Sequence, residues 1–486
     1  MPRVIPDPKT RVSALYSLGR TQATLDFVDV NIAGDTPVFI SPRAVAMLPS
    51  EWGDRCVHLI QSFFGTVLEF IKAGDHSTAE QLLQVLREPN ETHLGLSMGK
   101  SRGHALGNES AHDVWGALSN SGAAKSGLLT DLEDTALMVP GIDVDIVSDM
   151  TTNILREALI DYTQEMAVYY GIPLTDGVES GPLWDPTKKR WFTTFTRLPM
   201  TAEGKLLLVP KVIVRQALQY NADEYYRHFL LKHLQTVELN AHSALVHVLK
   251  DGRRKVTKKS LKAKYGTGKA AIVRETLKHP EVLKDYKKAK ELRQYLPLSL
   301  EDIADVEVSD PPDWDALLAA VRTVKPGKVD ATAYERAVEG LLSALFHPDL
   351  TNPRVQDEIH DGRKRIDITY TNMAIGGFFK WLAAHYPSAS LFVECKNYGK
   401  EVANPELDQL SSRFSPSRGR VGLLVCRQFE NKGLFQQRCI DTAKDDRGFI
   451  IALDDDDLAA LVEARKTGPF FQMWPLLRER FRLLTD

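Results

Sequence analysis

The stretch Leu391-Phe392-Val393-Glu394-Cys395-Lys396-Asn397-Tyr398 is an apolar run that abruptly acquires a carboxylate and an amine two positions apart. In a β-strand successive side chains alternate faces. Glu394 and Lys396 therefore point one way, while Leu391, Val393 and Cys395 point the other. One face packs a core and the other presents an acid and a base to a cleft. A Glu-x-Lys pair alone is most often a surface ion pair, so its meaning depends on what lies around it.

Upstream, Arg363-Lys364-Arg365-Ile366-Asp367-Ile368-Thr369-Tyr370 also alternates, with Ile366, Ile368 and Tyr370 on one face and Asp367 on the other. Asp367 and Glu394 are thus expected on adjacent strands, each projecting a carboxylate from the face away from the core. Two such groups repel unless a cation lies between them, and hard oxygen ligands suit Mg²⁺ or Mn²⁺. Lys396 would then orient or deprotonate a water, or stabilise charge on phosphorus. Before these strands, apolar residues at 334, 337, 338, 341, 342 and 345 predict a helix with a buried stripe. Glu335 lies on the shoulder of that stripe and Glu339 farther round, towards solvent.

This order resembles the restriction-endonuclease-like PD-(D/E)XK nucleases, the Mrr-type group in particular. A helix with Tyr-Glu-x-x-Val-x-x-Leu-Leu precedes a strand ending Ile-Asp-Ile, and then comes Val-Glu-Cys-Lys-Asn-Tyr. The resemblance covers about 329–466 and implies an α/β domain with a mixed central sheet. It implies that Asp367 and Glu394 bind the metal, that Lys396 serves the attacking water and that Glu335 assists. Gln409 and Arg413, four apart on one face of the following helix, would support the site or meet the phosphate backbone. Ile366 stands where the family's eponymous proline would be. The stretch from Gly376 to Tyr386 reads as a helical insertion between the two strands. The resemblance further implies a DNA endonuclease acting in restriction or phage defence. An inactive nuclease-like fold that binds nucleic acid, and an RNA-cleaving toxin, remain as alternatives.

The 486 residues call for more than one core. The expected organisation is a multidomain α/β protein with an α+β N-terminal region over 1–210, serving as a sensor or oligomerisation module. A mainly helical basic segment follows over 211–296, then a linker over 297–328, the nuclease-like domain over 329–466 and an amphipathic C-terminal helix over 467–486. Four cysteines without CxxC spacing fit reduced thiols. With no unbroken apolar run near ~18 residues and no signal-peptide core, a soluble cytoplasmic protein without a membrane partner is expected.

In the N-terminal region, residues 24–30 alternate as a strand, paired with 37–40, and one helix is expected from about 150 to 170. Gly95-Leu96-Ser97-Met98-Gly99-Lys100-Ser101 has three residues between its glycines where a phosphate loop needs four, so it reads as a surface loop. The acids at 131, 133, 134, 143, 145 and 149, and the four aspartates at 454–457, read as turns and helix caps.

The overall charge is −3, yet residues 250–293 hold sixteen Lys or Arg against five acids, a block of +11. Phosphate backbones are the natural partner of such a block. Arg253, Arg254, Lys255, Lys258, Lys259, Lys262 and Lys264 are its candidate nucleic-acid contacts, to DNA first and RNA second. His228, His233, His242 and His247 fall at spacings that throw neighbouring pairs to different helix faces, so they are not expected to form a metal cluster.

Overall fold

The computed structural model describes residues 8–95, 114, 116–119, 121–126, 128–249, 251, 253–291, 295–359, 364–398, 402–467 and 473–486. Most of the glycine-rich loop at 95–101 lies outside the described residues.

Around the helix Glu51–Ala73 a first core assembles. Ser50 caps its start by accepting from Gly53 N–H at 3.1 Å, and Gly74 ends it in the left-handed region at φ 78°. By length and composition this helix could cross a bilayer, but Cys56, Leu59, Phe63, Phe64 and Val67 are buried among the chain's own side chains. The core extends from Val12 through Leu218, Tyr225, Leu234, Leu261 and Ile272 to Tyr286. The boundary expected at 210/211 therefore does not separate two cores, because the basic helices bury their apolar faces against the N-terminal region.

Local expectations in this region are corrected in two places. Residues 24–30 form no strand: Phe27 makes a single bridge to Pro210, and Phe39–Ile40 pairs with Val214–Arg215. Side chains satisfy the backbone there instead, as where Gln22 Oε1 accepts from Asp29 N–H at 2.7 Å. The helix expected at 150–170 is two, Val144–Ile154 and Arg156–Tyr170, and its cap is Asp143, which accepts from Ile146 N–H at 3.2 Å. Of the other acids of this stretch, Asp145 and Asp149 lie inside the helix Val144–Ile154, and Glu133 and Asp134 are buried on the helix Glu133–Met138. Asp134 accepts from the N–H groups of Thr130 and Asp131 and pairs with Lys287 at 2.7 Å.

The C-terminal region is a mixed five-stranded sheet in the order β1 (Leu350–Ile359), β2 (Lys364–Asn372), β3 (Ser390–Lys396), β4 (Val421–Cys426) and β5 (Phe449–Leu453). The pairs β1/β2 and β2/β3 are antiparallel, while β3/β4 and β4/β5 are parallel. Strand β4 is buried along its whole length, as a parallel strand covered on both faces must be. The helix Gly377–His385 fills the long connection between β2 and β3, which are nonetheless direct neighbours. Asp454 and Asp457 cap the helix Asp455–Thr467 reciprocally, each accepting the other's N–H. The last helix, Pro475–Thr485, packs back through Leu477, Phe481 and Leu484.

The structure does not leave residues 297–328 as a linker. They hold two helices, Leu300–Glu307 and Trp314–Arg322, and Leu300, Trp314 and Val321 belong to the second core. Leu300, Trp314 and Val321 bind the segment to the sheet domain, while Val306 packs into the first core.

The two cores meet across the helix Ala331–Leu345. Glu339, expected towards solvent, is fully buried and ion-paired with Arg20 of the N-terminal module. Its Oε1 also accepts from Ser343 Oγ at 2.8 Å. Gly340 makes room for this approach: a Cβ there would lie 3.2 Å from the Arg20 guanidinium. Arg11 pairs with buried Glu307 at 2.9 Å, and Asn352 N–H donates to Asp26 Oδ1 at 2.9 Å. Removing one partner of a buried ion pair costs more than removing both. Arg20→Met should therefore lower stability by about 3 kcal/mol, and Arg20→Met with Glu339→Leu should recover most of that loss in urea unfolding. A loss in the double variant equal to the sum of the losses in Arg20→Met and Glu339→Leu alone would show that the pair carries no coupling.

Candidate active site

Antiparallel pairing sets Ile368 opposite Val393 and Tyr370 opposite Leu391. Continued by one residue, that register brings Asp367 to Glu394. At this end a side chain replaces the ladder bond: Cys395 N–H donates to Asp367 Oδ2 at 2.8 Å. The apolar partners hold the register, because a one-residue slip would turn Ile366, Ile368 and Tyr370 out of the core.

Asp367, Glu394 and Lys396 are all buried, Glu394 completely. Lys396 Nζ donates to Glu394 Oε1 at 2.7 Å and to Gln409 Oε1 at 3.2 Å, and Gln409 Nε2 donates back to Glu394 Oε1. These three side chains close a triangle between β3 and the helix Asn404–Ser411. Glu394 Oε2 is buried and has no hydrogen-bond partner among the described residues. An orphaned carboxylate oxygen at such a position is costly unless something cationic occupies the space beside it.

The electrostatics point the same way. Burial pushes the Glu394 carboxyl up to about 7, and the Asp367 charge adds to the rise, while Lys396 and Arg413 pull it back. Burial pulls the Lys396 ammonium down, but Glu394 and Asp367 outweigh it and hold the group above its ordinary value. Arg413 is buried just beyond the helix Asn404–Ser411. Glu335 is half-buried on the helix Ala331–Leu345, which packs on β3. Its charge reaches the same place: burial pushes the Cys395 thiol well up, and the charges of Asp367, Glu335 and Glu394 raise it further. All six residues singled out in this region of the sequence thus lie at or beside one cluster. Asn397, missed by sequence reasoning, anchors the end of β3 by donating to the carbonyls of Lys325 and Gly327 at 2.8 and 3.0 Å. Nothing in the spacing of those residues announces the contact.

Residues 17–221 match a family model described as Domain of unknown function (DUF8370). The match spans well under half of the 486 residues and ends far short of the sheet, so it speaks for the N-terminal module and not for this cluster. No curated protein and no solved structure matches the chain.

The basic segment is less free than its composition suggests. Lys264 pairs with buried Glu238, to which Tyr265 also donates, and Lys258 Nζ donates to the Arg227 carbonyl at 2.8 Å. Arg253 pairs with Asp251 at 2.7 Å. Farther along, Lys290 pairs with Glu224, and Lys269 donates to the carbonyls of Val139 and Ile142. Arg254, Lys255 and Lys259 are exposed and Lys262 is half-buried. The candidate surface thus contracts from seven side chains to these four.

Because the Glu394 carboxyl rises from 4.5 to about 7 on folding, the fold favours its protonated form. Its contribution is neutral below the unfolded value and turns unfavourable as pH rises through the folded one. Without divalent ions, the unfolding free energy of Glu394→Gln relative to the unsubstituted protein should shift in the variant's favour from about pH 5 to about pH 8. A difference flat across that range, read by urea titration, would refute the perturbed carboxyl.

Proposed function

We propose that residues 329–466 form a metal-dependent nuclease domain of the restriction-endonuclease-like PD-(D/E)XK type, Mrr-like in motif order, which hydrolyses phosphodiester bonds of DNA. One observation carries this reading: two mutually repelling buried carboxylates on the adjacent strands β2 and β3, one with an unpartnered oxygen, sit beside a charged lysine.

The donor set fits Mg²⁺ or Mn²⁺, which takes one or two carboxylates and keeps several waters. Asp367 and Glu394 would hold the ion, which when bound supplies Lewis-acid polarisation of the phosphoryl oxygen and a more acidic water. Lys396, held in its charged form, acts by donation. Its ammonium orients the attacking water and stabilises the negative charge that develops on the phosphoryl oxygens. Gln409 fixes the rotamers of both Glu394 and Lys396, so the cluster is preorganised. Arg413 adds positive charge beside the carboxylates, and Glu335 is an auxiliary acid on the flanking helix. Arg254, Lys255, Lys259 and Lys262 offer phosphate contacts without base readout.

The N-terminal module grips the helix Ala331–Leu345, which also carries Glu335, through the Arg20–Glu339 pair. That attachment supports gating of the nuclease by the module, and the role of a restriction or anti-phage effector rests on the motif resemblance.

Purified protein incubated with plasmid, linear DNA and RNA should cut DNA with Mg²⁺ and not with EDTA. Asp367→Ala and Lys396→Ala should each reduce cleavage by about 100-fold or more. Preferential cutting of RNA would redirect the substrate, and full activity in both variants would remove the site. Reversing the charge at Arg254, Lys255, Lys259 and Lys262 should weaken DNA binding and flatten its dependence on salt. Unchanged binding at low salt would take this surface out of the model of recognition.

A further inference from the structure

A second cluster, remote in sequence from the first, stands on the basic segment. His233 lies on the helix Leu231–Asn240. His279 ends the helix Gly268–Lys278, and Pro280 immediately starts the next helix, Pro280–Glu291. Proline cannot continue the first helix but is well suited to open the second. The tight junction therefore presents His279 and Glu281 together, and both face His233. His279 N–H is held by the carbonyls of Glu275 and Thr276, so the joint is fixed by backbone bonds.

Three atoms define the arrangement. His233 Nε2 lies 3.2 Å from His279 Nδ1, and each nitrogen lies 3.5 Å from Glu281 Oε1. The circle through a triangle with those sides has a radius of about 2.0 Å, so a point just off its plane is equidistant from all three atoms at the length of a Zn–N or Zn–O bond. These separations are those of one face of a coordination tetrahedron around such an ion. Two imidazoles and one carboxylate are ligands of a borderline transition ion, where Mg²⁺ prefers oxygen alone. The side chains are 31%, 23% and 55% exposed, which leaves an entry path. His233 also lines an open groove of about 960 Å³, together with His228 and Asp285.

We propose that His233, His279 and Glu281 form a site for a transition-metal ion, Zn²⁺ foremost, with three protein ligands and a fourth position open to water or an anionic group. The ion pins the helix Leu231–Asn240 to the junction of the two helices that carry much of the basic segment. This site is independent of the carboxylate cluster on the sheet.

Full-length protein, stripped with a chelator and held in excess Mg²⁺ to occupy oxygen-ligand sites, is titrated with Zn²⁺ by calorimetry. The expected result is a Zn²⁺-binding event weakened at least tenfold in His233→Ala and in His279→Ala, and weakened to a lesser degree in Glu281→Gln. Co²⁺ in place of Zn²⁺ should show ligand-field absorption that disappears in both histidine variants while their circular dichroism is unchanged. Glu394→Gln should leave this absorption intact, which separates the site from the nuclease reading. Absence of Zn²⁺ binding, or binding that survives in the double histidine variant, overturns the proposal and leaves a hydrogen-bonded cluster only.

Discussion

The antiparallel register of β2 on β3 is the constraint from which the C-terminal domain takes its chemistry. It drives two carboxylates into one buried space, where each charge opposes the other and water cannot screen them. A fold selected for stability alone would place apolar or neutral side chains there. The apolar partners on the opposite face, Ile366, Ile368, Val393 and Cys395, hold the register against that cost. Lys396 and Gln409 offset part of the repulsion but leave Glu394 Oε2 without a partner.

The same domain is tied to the rest of the chain by buried charge. Arg20 reaches Glu339, Arg11 reaches Glu307, and Asp26 accepts from the backbone at Asn352. Apolar contact joins the modules as well: Ala23 belongs to the second core, while Val306 and Met373 belong to the first. Ion pairs of this kind add little net stability over an apolar substitute, yet they penalise any docking that leaves one member unmatched. They therefore define one arrangement of the module on the helix Ala331–Leu345. Motion of the module would act directly on the helix that bears Glu335 and packs on β3.

The basic segment shows how charge composition overstates a surface. Its excess of +11 lies on helices that pack against the helix Leu231–Asn240 and against the N-terminal region. In these packed faces lysines are consumed one by one, by Glu238 and Glu224 of the segment itself and by Asp134 of the N-terminal region. The remaining cations lie in the strand Arg254–Lys255 and on the helix Lys258–Tyr265. The same packing brings His233 against His279, forty-six residues on in the sequence.

Sequence by itself determined what depends on short-range periodicity. Alternation identified the strands of Asp367 and Glu394 and assigned their faces, and the 3.6-residue stripe of Tyr334, Val338, Leu341 and Leu342 identified the helix beside them. Caps at Asp454 and Asp457 were legible for the same reason: the interacting groups lie within one turn. Only the tertiary structure decided the rest. Glu339 was buried by a partner more than three hundred residues away, the apparent strand at 24–30 was denied a neighbour, and the supposed linker at 297–328 was recruited into a core. Local pattern records which face of an element is apolar. It does not record which distant surface will cover that face, and burial, ion pairing and metal-competent geometry all follow from that choice.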